Sequence, residues 1–412
     1  MEKKDVFQQM FIRLLVFFLL LRTGLVDAQS YLPVATDSTD FQLKGLYLDI
    51  DNLSFVKNNE YYNLIADGYT LLGNKLDIQS IYKPHKNYQV AAGLMLLKYY
   101  GKDVFSKAIP YFSLQINYRK NSFYIGKLVT RDRHHLSIAL YGFESLLDKR
   151  SIENGLEHRY KNRHWETDTW LDWEHFIFKN DTTRERLNFG QTTTYRKRFH
   201  NFELQIPLQF YILHRGGQIN VRKKGNGVNN ALVIGNMSAG VSLIKILAQE
   251  QKAGIQFHYY AYRLNSDQAE ELIFTDGSAY NLGVFYSRKT WAVNLNYWKS
   301  NHFVAPKGDD MFQSISRRVE KYADENGRII PVFYRHTEPE RSLVYANIRF
   351  GKTIFKDLYL GFGVDVYYQL NDAQIESPVY SSRVVNQLDF ATGLYLTYSL
   401  RTKLLTIDNS KP

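Results

Sequence analysis

Charged, amide and aromatic side chains recur at every second position in several segments of the chain. This spacing places them on one face of an extended strand. Arginines opposed by carboxylates across a water-filled lumen would order water and polar solutes, and tyrosine rings would supply a surface for sugars. The residues predicted to line such a pore are Arg119, Arg184, Arg186, Glu203, Gln205, Gln209, Tyr345, Arg349, Tyr359 and Asp365. Bracing and hydrating an inner wall is the alternative role for the same side chains.

A second candidate is the long segment from Asn301 to Arg341. Within it, Gly308-Asp309-Asp310 precedes a stretch from Met311 to Tyr322 that we predict to form a short helix. Folded into a lumen, this segment would narrow it and set size and charge selectivity. The predicted constriction residues are Asp309, Asp310, Arg317, Arg318 and Lys321. A surface loop that faces the exterior is the alternative.

The segment from His214 to Gly227 is basic and rich in glycine. We interpret it as a solvated turn whose cations keep the loop in water. Binding of acidic sugars, phosphates or lipopolysaccharide is the alternative, because a basic loop attracts anions.

Histidines stand beside acidic residues at several places, but no dense set of three ligands at a known metal spacing is present. The chain contains no cysteine, no G-x-S-x-G nucleophile turn and no glycine-rich phosphate loop. We therefore predict no metal, no cofactor and no enzymatic activity. A hydrolase with a triad on an outer rim stays open, since triads are recognised by geometry. The histidine segments considered as metal sites are Glu157-His158, His164-Trp165-Glu166, Glu174-His175 and His134-His135.

The elements that would position these residues are strands with one apolar and one polar face. From Phe202 to Leu213, six apolar side chains alternate with Glu203, Gln205, Pro207, Gln209 and Tyr211. The length suits the roughly 9–11 residues of a tilted transmembrane strand. Similar alternation runs through most of the chain and predicts eighteen strands, one of them over 135–142, with sixteen as the alternative. Short turns are predicted at Gly73, 198–201, 288–289 and 352–356. An even number places both termini on the periplasmic side, with short periplasmic turns and long extracellular loops.

The first residues read as an export signal, with Lys3 and Lys4 before an apolar run from Phe11 to Leu21 and a small-x-small site at Val26-Asp27-Ala28. We predict a signal peptide over 1–28 and a single barrel domain over 29–412. The net charge of +11 would also fit a nucleic-acid binder, but an exported protein is not expected to meet nucleic acid. A large secreted β-sandwich is the competing fold, because it shows the same alternation.

The last predicted strand resembles the carboxy-terminal signal of outer-membrane barrels, a glycine followed by two apolar or aromatic residues separated by one. Gly393, Leu396 and Tyr398 carry this resemblance, although residues 401–412 follow where such signals end the chain. The resemblance implies insertion by the barrel-assembly machinery into the outer membrane of a Gram-negative bacterium, among lipid and lipopolysaccharide.

Taken as a whole, the chain resembles a porin-type or polysaccharide-transport outer-membrane protein. This implies a passive channel for small polar or anionic solutes, with oligosaccharides among the candidates. Two alternatives stay open: a barrel that exports or takes up an anionic polysaccharide, and a barrel that serves as a hydrolase or surface-binding protein. No pattern in the sequence specifies an oligomeric state.

Overall fold

The computed structural model describes residues 44–130, 132–147, 151–178, 181, 183–216, 231–248, 250–265, 274–316, 320–323, 329–334, 336–371 and 388–406. Its strands are β1 Gly45–Glu60, β2 Tyr69–His85, β3 Tyr88–Tyr99, β4 Lys107–Tyr118, β5 Asn121–Lys127, β6 Asn154–Lys161, β7 Trp165–His175, β8 Glu185–Phe199, β9 Phe202–Gly216, β10 Leu232–Ala248, β11 Gln251–Asn265, β12 Asp276–Arg288, β13 Trp291–Asn301, β14 Glu320–Ala323, β15 Ile329–Tyr334, β16 Glu340–Phe355, β17 Leu358–Gln369 and β18 Leu388–Thr406. There is no helix in this part of the chain with the length and apolarity needed to span a bilayer.

Sixteen of these strands form one closed antiparallel barrel in which each strand pairs with its neighbours along the chain. The barrel closes where β1 pairs with β18 over the full length of β1, from Gly45 opposite Thr406 to Glu60 opposite Phe390. Strands β14 and β15 form a separate hairpin between β13 and β16. The expected barrel is confirmed, with the smaller of the two predicted strand numbers.

Two errors in the strand assignment account for the difference. The predicted turn at Gly73 is wrong, because Gly73 lies inside β2, where a Cβ would come within 2.9 Å of the Phe55 ring. Glycine marks a close aromatic approach here and not a chain reversal. The predicted strand over 135–142 is also wrong, since Arg133–His135 and Phe143–Leu146 are 3-10 turns of a folded loop.

The apolar face of each strand points outward. In β9, Ile206 and Leu208 are exposed, whereas Gln209 and Tyr211 on the opposite face are buried inside the barrel. An apolar outer surface and a polar interior are typical of a barrel whose outer surface lies in lipid. Periodicity alone does not decide which face points outward, and the structure does.

Connections of two or three residues lie at one end of the barrel, the end at which β1 begins and β18 ends. Connections of seven residues or more lie at the other end. We call these the turn end and the loop end. Because both termini of bacterial barrels are periplasmic, the loop end faces the exterior. The predicted turns near 198–201, 288–289 and 352–356 lie at the turn end, as expected.

Two of the long connections fold back into the barrel at the loop end. We call the described residues of 128–153 and 302–316 the plug. Backbone hydrogen bonds join its two halves: Gly142 N donates to Lys307 O at 2.7 Å, and Asp309 N donates to Ile138 O at 3.0 Å. The predicted helix from Met311 to Tyr322 is wrong, because a 3-10 turn covers only Asp310–Phe312 and β14 begins at Glu320.

An aromatic core holds the plug against the barrel wall. The ring of Phe312 lies 5.0 Å from Trp298, 5.2 Å from Tyr345 and 6.1 Å from Tyr367, all edge to face. Leu140 and Met311 of the plug are fully buried in the same cluster. Edge-to-face aromatic pairs add to the free energy of burial. The plug is therefore a packed part of the fold.

Candidate functional site

A cleft of about 280 Å³ opens where the plug meets the wall formed by β1, β2 and β3. We call it the rim cleft. Titratable and aromatic side chains share its surface with the backbone of two glycines. Its lining residues are Asn59, Tyr61, Asp67, Tyr69, Leu71, Tyr99, Tyr141, Gly142, Glu144, Ser145, Pro306, Lys307, Gly308, Asp309 and Asp310.

Strand β1 fixes the position of one carboxylate in the rim cleft. Lys57 and Asn59 are two residues apart in β1, so both point into the barrel. Lys57 Nζ and Asn59 Nδ2 each donate to Glu144 Oε1 at 2.6 Å. Because Lys57 and Asn59 are almost completely buried, Glu144 is held in one orientation.

Asp309 supplies a second carboxylate from the other half of the plug. Its Oδ1 accepts a hydrogen bond from Met311 N at 3.0 Å, which caps the 3-10 turn. Burial and then repulsion by Glu144 raise the pKa of Asp309 to about 7, although Lys57 acts in the opposite direction. A carboxyl group that titrates near neutral pH can both accept and return a proton.

Ser145 also lines the rim cleft. Its Oγ donates to the carbonyl oxygen of Gly142 at 2.7 Å. A nucleophilic serine needs its hydroxyl proton directed at a base, and here the proton is directed at a backbone acceptor. The arrangement therefore favours water over Ser145 as a nucleophile.

A buried histidine cluster lies at the base of the plug, and we define it as His134, Glu153, Glu157, Asp168 and Arg159. His134 Nε2 lies 2.8 Å from Glu153 Oε2, and its Nδ1 lies 3.0 Å from Asp168 Oδ2 and 3.6 Å from Glu157 Oε1. Burial lowers the pKa of His134, but the bonds to Asp168 and Glu153 outweigh it and raise the pKa to about 10. The ring is 0% exposed, so it contacts no solute.

The cluster ties the plug to β6 and β7. The His134 ring stacks on Trp170 with 3.9 Å between centroids. Arg159 Nη1 donates to Asp132 at 2.8 Å, and its Nη2 lies 3.0 Å from Asp168 Oδ2. Among the described residues, His134, Glu157 and Asp168 form the one group with the geometry to hold a metal ion.

The lumen differs at the turn end. A cavity of about 420 Å³, which we call the vestibule, extends below the plug. Its wall is polar and carries both signs of charge, with Leu146 and Ile152 of the plug at its upper boundary. The polar residues that line it include Asp49, Asp51, Lys75, Asp77, Gln79, Lys83, Gln89, Ser113, Gln115, Asn117, Tyr124, Lys127 and Arg401.

Seven of the ten predicted pore residues lie on the inward faces of β9, β16 and β17, namely Glu203, Gln205, Gln209, Tyr345, Arg349, Tyr359 and Asp365. Several of them have structural partners. Gln209 donates to His135 O at 3.0 Å, and Arg349 Nη2 donates to Asp365 Oδ1 at 2.5 Å. Contact of this set with a solute stays a prediction.

Of the three predicted arginines in the amino-terminal half, Arg186 lies on the inward face of β8, which it shares with the buried Asn188, and the other two lie outside the strands. Arg119 lies in the turn between β4 and β5 with a φ of 54°, and not on a strand. Arg184 immediately precedes β8. Arg186 lies in β8, with its Nη1 3.5 Å from Glu174 Oε1. The alternation was extended beyond the strand ends, which explains the first two differences.

The predicted constriction residues are split. Asp309 and Asp310 belong to the plug and line the rim cleft. Lys321 lies in β14, whereas Arg317 and Arg318 lie outside the described residues. Most of the basic loop, residues 217–230, also lies outside them. Gly393, Leu396 and Tyr398 lie in β18, where Leu396 and Tyr398 are exposed on the outer surface.

Sequence reasoning missed the importance of Lys57, Asn59 and Glu144, because they come from segments 85 residues or more apart. His134 and Glu157 were singled out only in separate pairs. Their meeting with Asp168 depends on the register of β6 and β7, in which Arg159 lies opposite Asp168. No sequence spacing reveals that register.

The model of the family described as lipid A 3'-O-deacylase-type matches residues 37–407. Comparison with curated protein sequences gives no match.

Solved structures that are similar include the trimer form of OmpT from Vibrio cholerae, with a TM-score of 0.46, 10% identity, and coverage of 86% of this chain and 100% of that one. An anion-selective porin from Comamonas acidovorans has a TM-score of 0.45 and 10% identity, covering 86% and 98%. OccAB3 from Acinetobacter baumannii has a TM-score of 0.43 and 8% identity, covering 87% and 99%.

The closed barrel and its apolar exterior define the class of the molecule as an outer-membrane β-barrel protein of a Gram-negative bacterium. Within this class, the chain belongs to the lipid A 3'-O-deacylase-type family. Lipid and lipopolysaccharide are thus its surroundings. The sequence predicted no enzymatic activity and left a hydrolase open as the alternative. Membership of this family favours the alternative.

Proposed function

We propose that this protein hydrolyses an acyl ester of lipid A in the rim cleft. The observation that carries the proposal is Asp309, a carboxyl group with a pKa near 7 beside Glu144 in a cleft at the loop end. The description of the family supplies the substrate.

The chemistry requires one water molecule and one base. Ionised Asp309 accepts a proton as the water oxygen attacks the ester carbonyl carbon. Collapse of the tetrahedral intermediate breaks the bond between the carbonyl carbon and the alkoxy oxygen, and Asp309 returns the proton to that departing sugar oxygen. The products are a fatty acid and an alcohol. Because the pKa of Asp309 lies near the operating pH, both transfers are favourable.

The surroundings of the rim cleft suit an acylated substrate. The connection between β3 and β4 begins directly after Tyr99, which lines the cleft, and it exposes Tyr100, Val104 and Phe105. Exposed apolar groups at the membrane boundary can take up acyl chains that would otherwise meet water. Lipid A lies in the outer leaflet, at the same end of the barrel as the cleft.

The test is release of fatty acid from purified lipid A by the chain in detergent, followed by mass spectrometry. We expect wild-type protein to release fatty acid and Asp309→Asn to lose at least about 100-fold in rate, the usual contribution of a general base. Asp103→Asn, in the exposed β3–β4 connection, is the matched control and should keep full activity. Equal rates for Asp309→Asn and wild type would exclude Asp309 as the base.

A channel for polar or anionic solutes, or for an anionic polysaccharide, is the second candidate. The charged vestibule favours it, because a polar lumen suits passage of such solutes. The packed plug opposes a permanently open path. Conductance in planar bilayers separates the two candidates: a steady open current would support the channel, and a silent barrel that releases fatty acid would support the hydrolase.

Two proposals concern biogenesis. We propose that residues 1–28 are a cleaved signal peptide preceding one barrel domain over 29–412. We also propose that the barrel-assembly machinery recognises β18 through Gly393, Leu396 and Tyr398. Mass spectrometry of the mature amino terminus tests the first proposal. Membrane insertion of a Tyr398→Asp variant, compared with wild type, tests the second.

A further inference from the structure

We propose that the histidine cluster is a zinc site that fastens the plug to the barrel wall, with His134 Nδ1, Glu157 Oε1 and Asp168 Oδ2 as ligands. This goes against the prediction from sequence that the chain holds no metal. It does not rest on the hydrolytic role of the rim cleft, because the three ligands are buried and do not line that cleft.

Nδ1 of His134 has more acceptors close to it than it has protons to donate. Nδ1 of His134 can donate one hydrogen bond, yet two carboxylate oxygens approach it, Asp168 Oδ2 at 3.0 Å and Glu157 Oε1 at 3.6 Å. Imidazole and carboxylate groups are the nitrogen and oxygen ligands that zinc takes in proteins. A cation in place of the Nδ1 proton would serve all three atoms at once.

His134 Nδ1, Glu157 Oε1 and Asp168 Oδ2 are spaced like ligands of one ion. Zinc binds nitrogen and carboxylate oxygen at about 2.0–2.2 Å, so that ligand atoms around a tetrahedral ion lie about 3.3 Å apart. The two observed distances from Nδ1 lie on either side of this value, and the three atoms all lie within 4.8 Å of one another. The spacing of the three atoms is thus close to that of three ligands of one ion.

A carboxylate also contacts the other nitrogen of the His134 imidazole. His134 Nε2 lies 2.8 Å from Glu153 Oε2, and Glu153 Oε1 accepts from the Tyr141 hydroxyl at 2.5 Å. Histidines that bind metal through one nitrogen commonly donate the other N–H to a carboxylate, which fixes the ring. Trp170 stacks on the same ring and fixes it further.

Asp168 carries a buried oxygen atom without a hydrogen-bond partner in the described part of the chain. Asp168 is 2% exposed, and its Oδ1 has no hydrogen-bond partner among the described residues. Leaving such an atom without a partner costs free energy. An ion in the cluster would compensate by neutralising the carboxylate that carries this oxygen.

Arg159 competes with the ion for the same carboxylates, since it contacts both Glu157 and Asp168. It also has partners outside the ligand set, namely Asp132 and the carbonyl oxygen of Val129 at 2.7 Å. On zinc binding, Arg159 would keep these and share the two carboxylates. His134 would lose its Nδ1 proton to solvent.

The test is the metal content of the full chain, without a polyhistidine tag, purified in detergent and dialysed with Zn²⁺ and then with metal-free buffer. Plasma mass spectrometry should find about one zinc per wild-type chain, the content of a single site. Asp168→Asn and Glu157→Gln keep the shape of their side chains and should each lose most of it. His135→Ala, at the exposed neighbouring position, is the matched control and should retain it.

Two readouts besides metal content keep the proposal falsifiable. Co²⁺ in place of zinc should give visible absorption bands of a tetrahedral ion in wild type and His135→Ala only. Zinc should also raise the melting temperature of wild type and leave that of Asp168→Asn unchanged. Zinc content in wild type no higher than in Asp168→Asn, with both barrels folded, would overturn the proposal.

Discussion

The two ends of the lumen differ in how their polar groups are arranged. At the loop end, the plug fills the barrel with an aromatic core and buries charged groups in ion pairs, such as that of His134 with Glu153. At the turn end, charged side chains line a vestibule and keep partial contact with water, as Asp49 and Arg401 do. The comparison shows that one polar strand face can be either a wall for water or a platform for a packed plug.

The difference has an energetic consequence. Breaking a buried charge pair leaves one charge without compensation, whereas a hydrated pair is replaced by water at little cost. The loop end should therefore be sensitive to single substitutions and the turn end tolerant of them. Substitutions at the two ends of the lumen test this contrast.

Phe312→Ala should destabilise the plug most. The substitution removes the ring that contacts Trp298, Tyr345 and Tyr367, and such a truncation in a core costs about 3–5 kcal/mol. We expect faster amide hydrogen exchange over residues 303–316 and intermittent current in planar bilayers. Phe178→Ala, at an exposed position beyond β7, should change neither. Unaltered exchange in Phe312→Ala would show that the plug is not held by its core.

Arg341→Met should have a similar or slightly smaller effect. Arg341 is fully buried, its Nε lies 2.8 Å from Glu338 Oε2, and its Nη1 donates to Gln313 O of the plug at 2.9 Å. Removing one partner of a buried pair costs about 3–5 kcal/mol. The free energy of unfolding in urea measures the loss.

Arg263→Met is the control for Arg341→Met, because its pair with Asp276 is exposed. An exposed pair contributes about 0–1 kcal/mol. Equal losses in the two variants would remove the distinction between buried and hydrated pairs on which the comparison rests.

Asp309 should make the stability of the plug depend on pH. Its pKa is about 7 in the folded chain, against an ordinary value of 3.8, so the folded state holds this proton more tightly. Stability should therefore fall as the pH rises from about 4 to about 7 and level off above. Asp309→Asn should abolish this slope, as measured by amide exchange of the plug. A slope that persists in Asp309→Asn would assign it to another group.

Arg401→Gln should have the smallest effect. Its pair with Asp49 at the turn end is partly hydrated, so we expect a loss of about 0–1 kcal/mol in unfolding free energy. Release of fatty acid from lipid A should not change. A large loss of activity would place the chemistry in the vestibule and contradict the contrast between the two ends.

The fold could be predicted further from the sequence than the site could. Alternation such as that of Phe202 to Leu213 reports burial on one face, and this local signal is present in most strands of the barrel. The leucines of the folded loop at 135–142 are buried against aromatic rings from distant strands. In the sequence, these apolar residues resemble the buried face of a strand. Local periodicity contains no information about such partners.

The site depends on contacts between distant segments. Glu144 is oriented by Lys57 and Asn59, and Asp309 reaches them only because the two halves of the plug bond to each other. Asp309 was singled out from the sequence, but as a constriction residue in a predicted helix. The chemical environment that raises its pKa is visible only in the folded chain.

The most direct test uses the absence of cysteine from the natural chain. Ser145→Cys in the rim cleft and Ser113→Cys in the vestibule each offer one thiol for a bulky maleimide, and the unlabelled variants are the references. We predict that labelling at position 145 abolishes release of fatty acid from lipid A and that labelling at position 113 leaves it intact. Loss of release on labelling at position 113 but not at position 145 would contradict the account.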